Sequence, residues 1–151
     1  IYTGNPMTKK MEKALNKGES SFVMGSVSSS EALKIQENAD FLVHVEAQDL
    51  KNKLLVRQSF STKLVDYFSW AKPIVAYGPK GIASIEHLIR NDCAAVADNE
   101  NELYEKLLNI INDRTKREEL AKNAWLCGKK NHNKKDIQSE LRESIEALCK
   151  G

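Results

Sequence analysis

The chain has 151 residues, 41% of them hydrophobic and 29% charged, with 23 Lys+Arg against 21 Asp+Glu and a net charge of +2. That balance fits one globular domain, burying about 68–70% of its unfolded surface, and lacks the dominant basic patch of a nucleic-acid binder. No apolar run approaches the roughly 18 residues needed to cross a membrane, and no signal peptide is visible.

In chain order, strands are expected at residues 1–3, 22–24, 41–45, 74–77 and 94–97. Each is short and nearly continuous in apolar residues, as parallel strands covered on both faces read. The opening Ile1-Tyr2-Thr3 reads as a strand cut from something longer. Helices are expected between the strands at 7–17, 30–38, 62–71 and 84–91. Such alternation argues for an α/β fold, an open parallel Rossmann-like sheet with helices on both faces.

Beyond the last strand the pattern is all helical. Asn99 or Asn101 caps a run striped by Leu103, Leu107, Leu108 and Ile111, and Asp113 precedes a helix at 115–130 with Leu120, Ala121, Ala124 and Trp125. A last helix at 135–150 carries Ile137, Leu141, Ile145 and Leu148 on one face. All three stripes are expected to pack into the core. There is no internal repeat and no linker marking a second domain. Between the last two helices, Lys129, Lys130, Lys134 and Lys135 surround His132. They read either as a solvated junction or as a weak attraction to an anionic membrane face.

Cys93, Cys127 and Cys149 form no C-x-x-C pair, and read as reduced cysteines of a cytoplasmic protein. His44, His87 and His132 lie far apart and form no ligand-spaced pair, so neither a metal site nor a cofactor is expected.

Ligands of open parallel sheets bind at the carboxyl ends of the strands. The loops there are 4–6, 25–29, 46–61 and 78–83. Gly25 and Ser26 of the second are candidate substrate-binding residues, since glycine admits a ligand close to the backbone. Neither a dinucleotide fingerprint nor a phosphate-binding P-loop is present. The third loop is long, polar and basic, with Lys51, Lys53 and Arg57, and leads into Ser61-Thr62-Lys63. A helix start there offers free amides and a favourable dipole to an anion. Asp66 follows Thr62 by one turn on the same face, where a carboxylate can accept from ribose hydroxyls. An ordinary capped helix with Pro73 as its stop is the other reading. Ser84 reads as a helix cap and Glu86 as a first-turn acid stabilised by the dipole.

From residue 22 to about residue 123 the chain resembles the C-terminal, donor-binding domain of retaining GT-B glycosyltransferases of the group 1 type. The likeness runs through Phe22-Val23-Met24-Gly25-Ser26-Val27, Asn38-Ala39-Asp40-Phe41-Leu42-Val43 and Thr62-Lys63-Leu64-Val65-Asp66-Tyr67. It continues through Lys72-Pro73-Ile74-Val75 and Asn112-Asp113-Arg114. Enzymes of that family carry a spaced pair of glutamates here. The resemblance puts Asp66 at the ribose-contacting position and Gln58 at the other, so this chain departs from the Glu/Glu pattern. It leaves Lys63 as a phosphate contact or a solvated lysine.

The resemblance implies transfer of a sugar from a nucleoside-diphosphate sugar to an acceptor, in polysaccharide or glycoconjugate synthesis. It also implies an acceptor-binding N-terminal domain in the parent chain, a missing opening strand–helix unit, and no turnover by this piece alone. With the opening strand gone, residues 1–3 and 22–24 are expected on one side and the remaining strands on the other. Either the sheet rejoins, with the first strand beside 41–45, or other polypeptide fills the gap. Two rivals share the architecture. A nucleotide-sugar epimerase would want acids and histidines in the crevice, for which His44 and His87 are a thin supply. The other is a non-catalytic nucleotide-binding or receiver-like α/β module; a receiver would want an acidic cluster at the first strand's end, and residues 1–6 offer none.

Overall fold

Two separate parallel ladders hold the strands together. The computed structural model describes residues 1–3 and 7–149, and the expected glycine-containing loop at 4–6 lies outside them. The chain divides into two units, Ile1–Ala39 and Asp40–Gly151.

In the first unit, β1 (Tyr2–Thr3) pairs with β2 (Gly25–Ser26) in the register Tyr2↔Gly25. Between them runs α1 (Lys9–Leu15), whose N-cap Thr8 accepts from the Met11 amide at 3.3 Å. After β2 comes α2 (Ser29–Glu37), opened by a capping box. The Ser28 hydroxyl accepts from the Glu31 amide, and the Glu31 carboxylate accepts from the Ser28 amide at 2.8 Å. Gln36 of α2 is buried and donates to the Tyr2 hydroxyl at 2.8 Å, tying helix to ladder.

In the second unit, β3 (Leu42–Val45), β4 (Ile74–Tyr77) and β5 (Ala95–Ala97) lie in the order β3-β4-β5. The register aligns Val43 with Val75 and Val75 with Ala95. The Leu42 and Glu46 amides donate to the Pro73 and Tyr77 carbonyls at the two ends of β4. By the two-residue alternation of a ladder, the Val43 and Val45 backbone groups therefore face away from β4. The Tyr67 hydroxyl donates to the Val43 carbonyl there at 3.2 Å, blunting an open strand edge.

The helices follow from local chemistry. The connection after β3 contains α3 (Leu50–Val56), capped by Asp49, whose carboxylate accepts from the Asn52 amide. Next, α4 (Thr62–Ser69) buries Leu64, Tyr67 and Phe68. It stops at Trp70, where Ala71 turns into the left-handed region (φ 49°) and the buried Pro73 precludes further helix before β4. Then α5 (Ala83–Arg90) buries Ser84, Ile85 and Leu88. Asn99 caps α6 (Glu100–Asn112). Asp113 both ends α6 and opens α7 (Arg114–Asn131), accepting from the Lys116 amide at 2.9 Å. Val75, Ala95, Ile110 and Leu120 form a core cluster with Phe41, Leu103 and Leu107 packed on it. Gly128 brings α7 close against α4, since a Cβ there would stand 2.7 Å from the Phe68 Cβ.

The α/β class and the parallel pairing agree with the expectation. The rejoined sheet, with the first strand beside 41–45, does not form among the described residues: β1 pairs with β2 alone, apart from the β3-β4-β5 ladder. Several details differ. The second strand lies at Gly25–Ser26, one step beyond 22–24, because its partner is Tyr2–Thr3. The 46–61 connection is not a bare loop, since Asp49 nucleates α3 within it. The last helix, α8 (Lys134–Cys149), has no buried residue, and its stripe of Ile137, Leu141, Ile145 and Leu148 is exposed. Spacing made that helix amphipathic, but nothing among the described residues covers its apolar face. Leu108, Ile111 and Trp125, also expected in the core, are likewise exposed.

Candidate functional site at the strand ends

The second unit gathers the end of β3 and the beginning of α4. His44, 5% exposed, places its Nε2 2.9 Å from Glu46 Oε1. Burial pushes the imidazole below its ordinary range. Glu46 opposes this by charge and hydrogen bond, and the Lys63 ammonium adds to the lowering. Lys63 sits in the first turn of α4, so that turn lies within electrostatic reach of the end of β3.

The start of α4 is held from outside the helix. Ser61 is its N-cap, with φ −72° and ψ 118°, but its hydroxyl makes no cap hydrogen bond. Its amide donates to the Ser84 hydroxyl at 3.0 Å, and that hydroxyl lies 3.4 Å from the Ser59 carbonyl, to which it donates. Ser84 is fully buried. It therefore latches α4 to α5 instead of capping its own helix, whose N-cap is Ile82. A second stitch runs from the Ala83 amide to the Arg57 carbonyl at 2.8 Å. Glu86, a first-turn acid as expected, accepts from the Gly81 amide at 2.8 Å and closes the 78–83 turn.

The Thr62 and Lys63 amides, in the first turn, have no partner within the helix. Thr62, Lys63 and Asp66 are exposed, and the Asp66 carboxylate makes no hydrogen bond or ion pair among the described residues. Four of the expected binding residues, Ser61, Thr62, Lys63 and Asp66, thus occupy one end of one helix. Gly25 and Ser26 do not form the expected loop. They are β2 itself, with Gly25 at φ 78° and Ser26 exposed. Gln58 is exposed on the approach to α4.

A second cluster was not foreseen. His87 of α5, Cys127 of α7 and His132, just past α7, bring their side chains together. His87 Nε2 lies 3.1 Å from Cys127 Sγ and 3.1 Å from His132 Nε2. Asn131 Nδ2 donates to Cys127 Sγ at 3.5 Å. Phe60 stacks on the His132 ring at 5.0 Å between centroids and meets His87 edge-on at 5.0 Å. The Cys93 thiol, with help from Asn131 and His87, lowers the Cys127 thiol to about 5, while Cys93 itself is pushed up by Cys127 and by burial. Burial and the neighbouring His87 lower His132. His132 is half-buried against Phe60 and Phe68, while Lys129, Lys130, Lys134 and Lys135 around it are exposed, as a solvated junction expects. Among the lysines beside it, Lys129 lies over the Trp125 ring at 3.8 Å. His44 and His87 belong to different clusters, so they do not furnish one shared acid–base site. All three cysteines are free, Cys93 and Cys127 buried and Cys149 exposed.

Among the described residues, no helix is long and apolar enough to cross a membrane. No protein-family model matches the chain, and no curated protein matches it.

Proposed function

We propose that the chain is the nucleotide-sugar donor-binding half of a retaining GT-B glycosyltransferase with a Rossmann-like sheet. One observation carries the reading: the residue in the N-cap place of α4 does not cap it, and an unpartnered carboxylate follows one turn later. A purely structural helix start would spend the Ser61 hydroxyl on its own amides. Here that hydroxyl and the Thr62 and Lys63 amides remain for a ligand, while Ser84 holds the turn in place.

In this reading the donor's diphosphate lies on the Ser61–Lys63 turn and the ribose hydroxyls donate to Asp66. The amides and the helix dipole stabilise charge that grows on the diphosphate as the sugar–oxygen bond breaks, the role a preorganised anion site plays in transfer chemistry. Lys63 adds a positive charge beside that turn. The acceptor belongs to the other half of the parent enzyme, without which donor and acceptor are not held in reacting geometry. Two uncovered surfaces support a parent of that kind. β3 has β4 as its only strand partner among the described residues, and the apolar stripe of α8 lacks a partner among them. Peripheral membrane contact in the parent would engage the lysines around α8.

Calorimetric titration of UDP, GDP and ADP into the chain tests the reading. Saturable one-to-one binding of one of them is the expected result. Heat of dilution alone with all three would remove it, and would leave a non-catalytic module that takes another ligand.

A further inference from the structure

We propose that His87, Cys127 and His132 form a zinc-binding site, with His87 Nε2, His132 Nε2 and Cys127 Sγ as ligands and a fourth position open to water. It shares no residue with the nucleotide site and stands or falls separately from it.

Geometry is the first argument. Zinc bonds nitrogen at about 2.0–2.1 Å and sulfur at about 2.3 Å, so a tetrahedral centre sets its ligand atoms roughly 3.3–3.6 Å apart. Two of the three separations here are 3.1 Å, and all three ligand atoms lie within 4.8 Å of one another. On binding, the longer edge, between Cys127 Sγ and His132 Nε2, would have to shorten.

Proton counting is the second argument. His87 Nε2 faces both Cys127 Sγ and His132 Nε2. As a protonated nitrogen it has one hydrogen for two acceptors. As an unprotonated one it has a single lone pair for two donors, the His132 N–H and the Cys127 S–H. Hydrogen bonds alone leave one of these contacts unmade, whereas a cation at their centre satisfies all three donor atoms together.

The surroundings are those of a built site. Phe60 and Phe68 hold the rings, with Phe68 stacked on His132 at 5.3 Å and Phe60 on its own stack at 5.0 Å. Asn131 donates to the sulfur, as groups behind metal-bound thiolates do. Imidazole and thiolate together select zinc-like cations over magnesium or calcium. The same trio as a cysteine nucleophile fails on access, because Cys127 is only 4% exposed. Bound metal would clip α5 to the end of α7 and fix the turn into α8, which begins at Lys134.

The test uses the full chain, stripped with a chelator and titrated with Zn²⁺ by calorimetry and with Co²⁺ by absorbance. One equivalent should bind, Co²⁺ should show a thiolate charge-transfer band with tetrahedral ligand-field bands, and Zn²⁺ should raise the melting temperature. Loss of an outer-shell partner alone costs 10–100-fold in affinity, so His132→Ala should weaken binding by about a hundredfold or more. Cys127→Ser should do the same and abolish the charge-transfer band. His132 is only half-buried, so its variant keeps the test decisive should Cys127→Ser fail to fold. Absence of stoichiometric binding, a Co²⁺ spectrum without the thiolate band, or wild-type affinity in His132→Ala would overturn the assignment.

Discussion

Replacing Ser84 by alanine removes one hydroxyl and leaves every apolar contact of its Cβ intact. That hydroxyl is fully buried, accepts from the Ser61 amide at 3.0 Å and donates toward the Ser59 carbonyl at 3.4 Å. Ser59 is exposed and water can replace its bond, but Ser61 is half-buried. One donor is therefore stranded, at a cost of about 1–3 kcal/mol. Alanine recovers a few tenths of a kcal/mol in helix propensity, so the net loss should be about 1–2 kcal/mol. For a chain of this size that lowers the melting temperature by roughly 2–8 °C. Urea denaturation gives the free energy, and amide hydrogen exchange at Ser61 reads the bond itself. Nucleotide affinity should also fall, because the same bond positions the start of α4. Unchanged stability together with unchanged Ser61 protection would refute the latch.

Asp66→Ala should weaken nucleoside-diphosphate binding by roughly ten- to hundredfold, the worth of a hydrogen bond to a charged group, with Asp66→Asn losing less. Its melt should stay within about 0.5 kcal/mol of wild type because the side chain is exposed and unpartnered; wild-type affinity in the alanine variant removes Asp66 from the site. Gly128→Ala should destabilise by about 1 kcal/mol or more in chemical denaturation. The new Cβ would meet the Phe68 Cβ at 2.7 Å, and separating α4 from α7 outweighs the helix propensity gained; a variant as stable as wild type would show that the helices part freely. His44 is lowered in the folded chain, so below about pH 6.5 the unfolded chain binds more protons and stability falls with pH. Denaturation midpoints at pH 7 and pH 5 should differ less in His44→Gln than in wild type, with His132 and Cys127 supplying what remains, and an unaltered difference would remove His44 from the account.

How much of this was legible depends on how local the signal is. β4 lies where its apolar run Ile74–Tyr77 stands between Pro73 and Gly78, and α4 begins at Thr62, because those signals are written in adjacent residues. Asp113 likewise announced the break between α6 and α7. β2 slipped to Gly25–Ser26 because a short strand takes its bounds from its partner. Asp49 ahead of Leu50 was a usable cap signal for α3, obscured by the basic residues around it. The stripe of α8 is amphipathic as its spacing predicts but exposed, since periodicity does not say what covers a face. Ser84 looked like a cap from its place in the chain, and only the approach of Ser59 and Ser61 reveals it as a latch. His87 and Cys127 are 40 residues apart, and His87 and His132 are 45. No spacing rule joins them. The packing of α7 on α4 and β4, which brings Cys127 and His132 to His87, does.

In the proposed function the first turn of α4 receives a nucleoside diphosphate. The most direct measurement is a ¹⁵N–¹H spectrum of the chain titrated with UDP, GDP and ADP, with the amides of α4 assigned. One nucleotide should shift the Thr62 and Lys63 amides most, with Ser61 and Asp66 following along the same binding curve. A saturating nucleotide that leaves those amides in place, while shifting residues elsewhere, would contradict it.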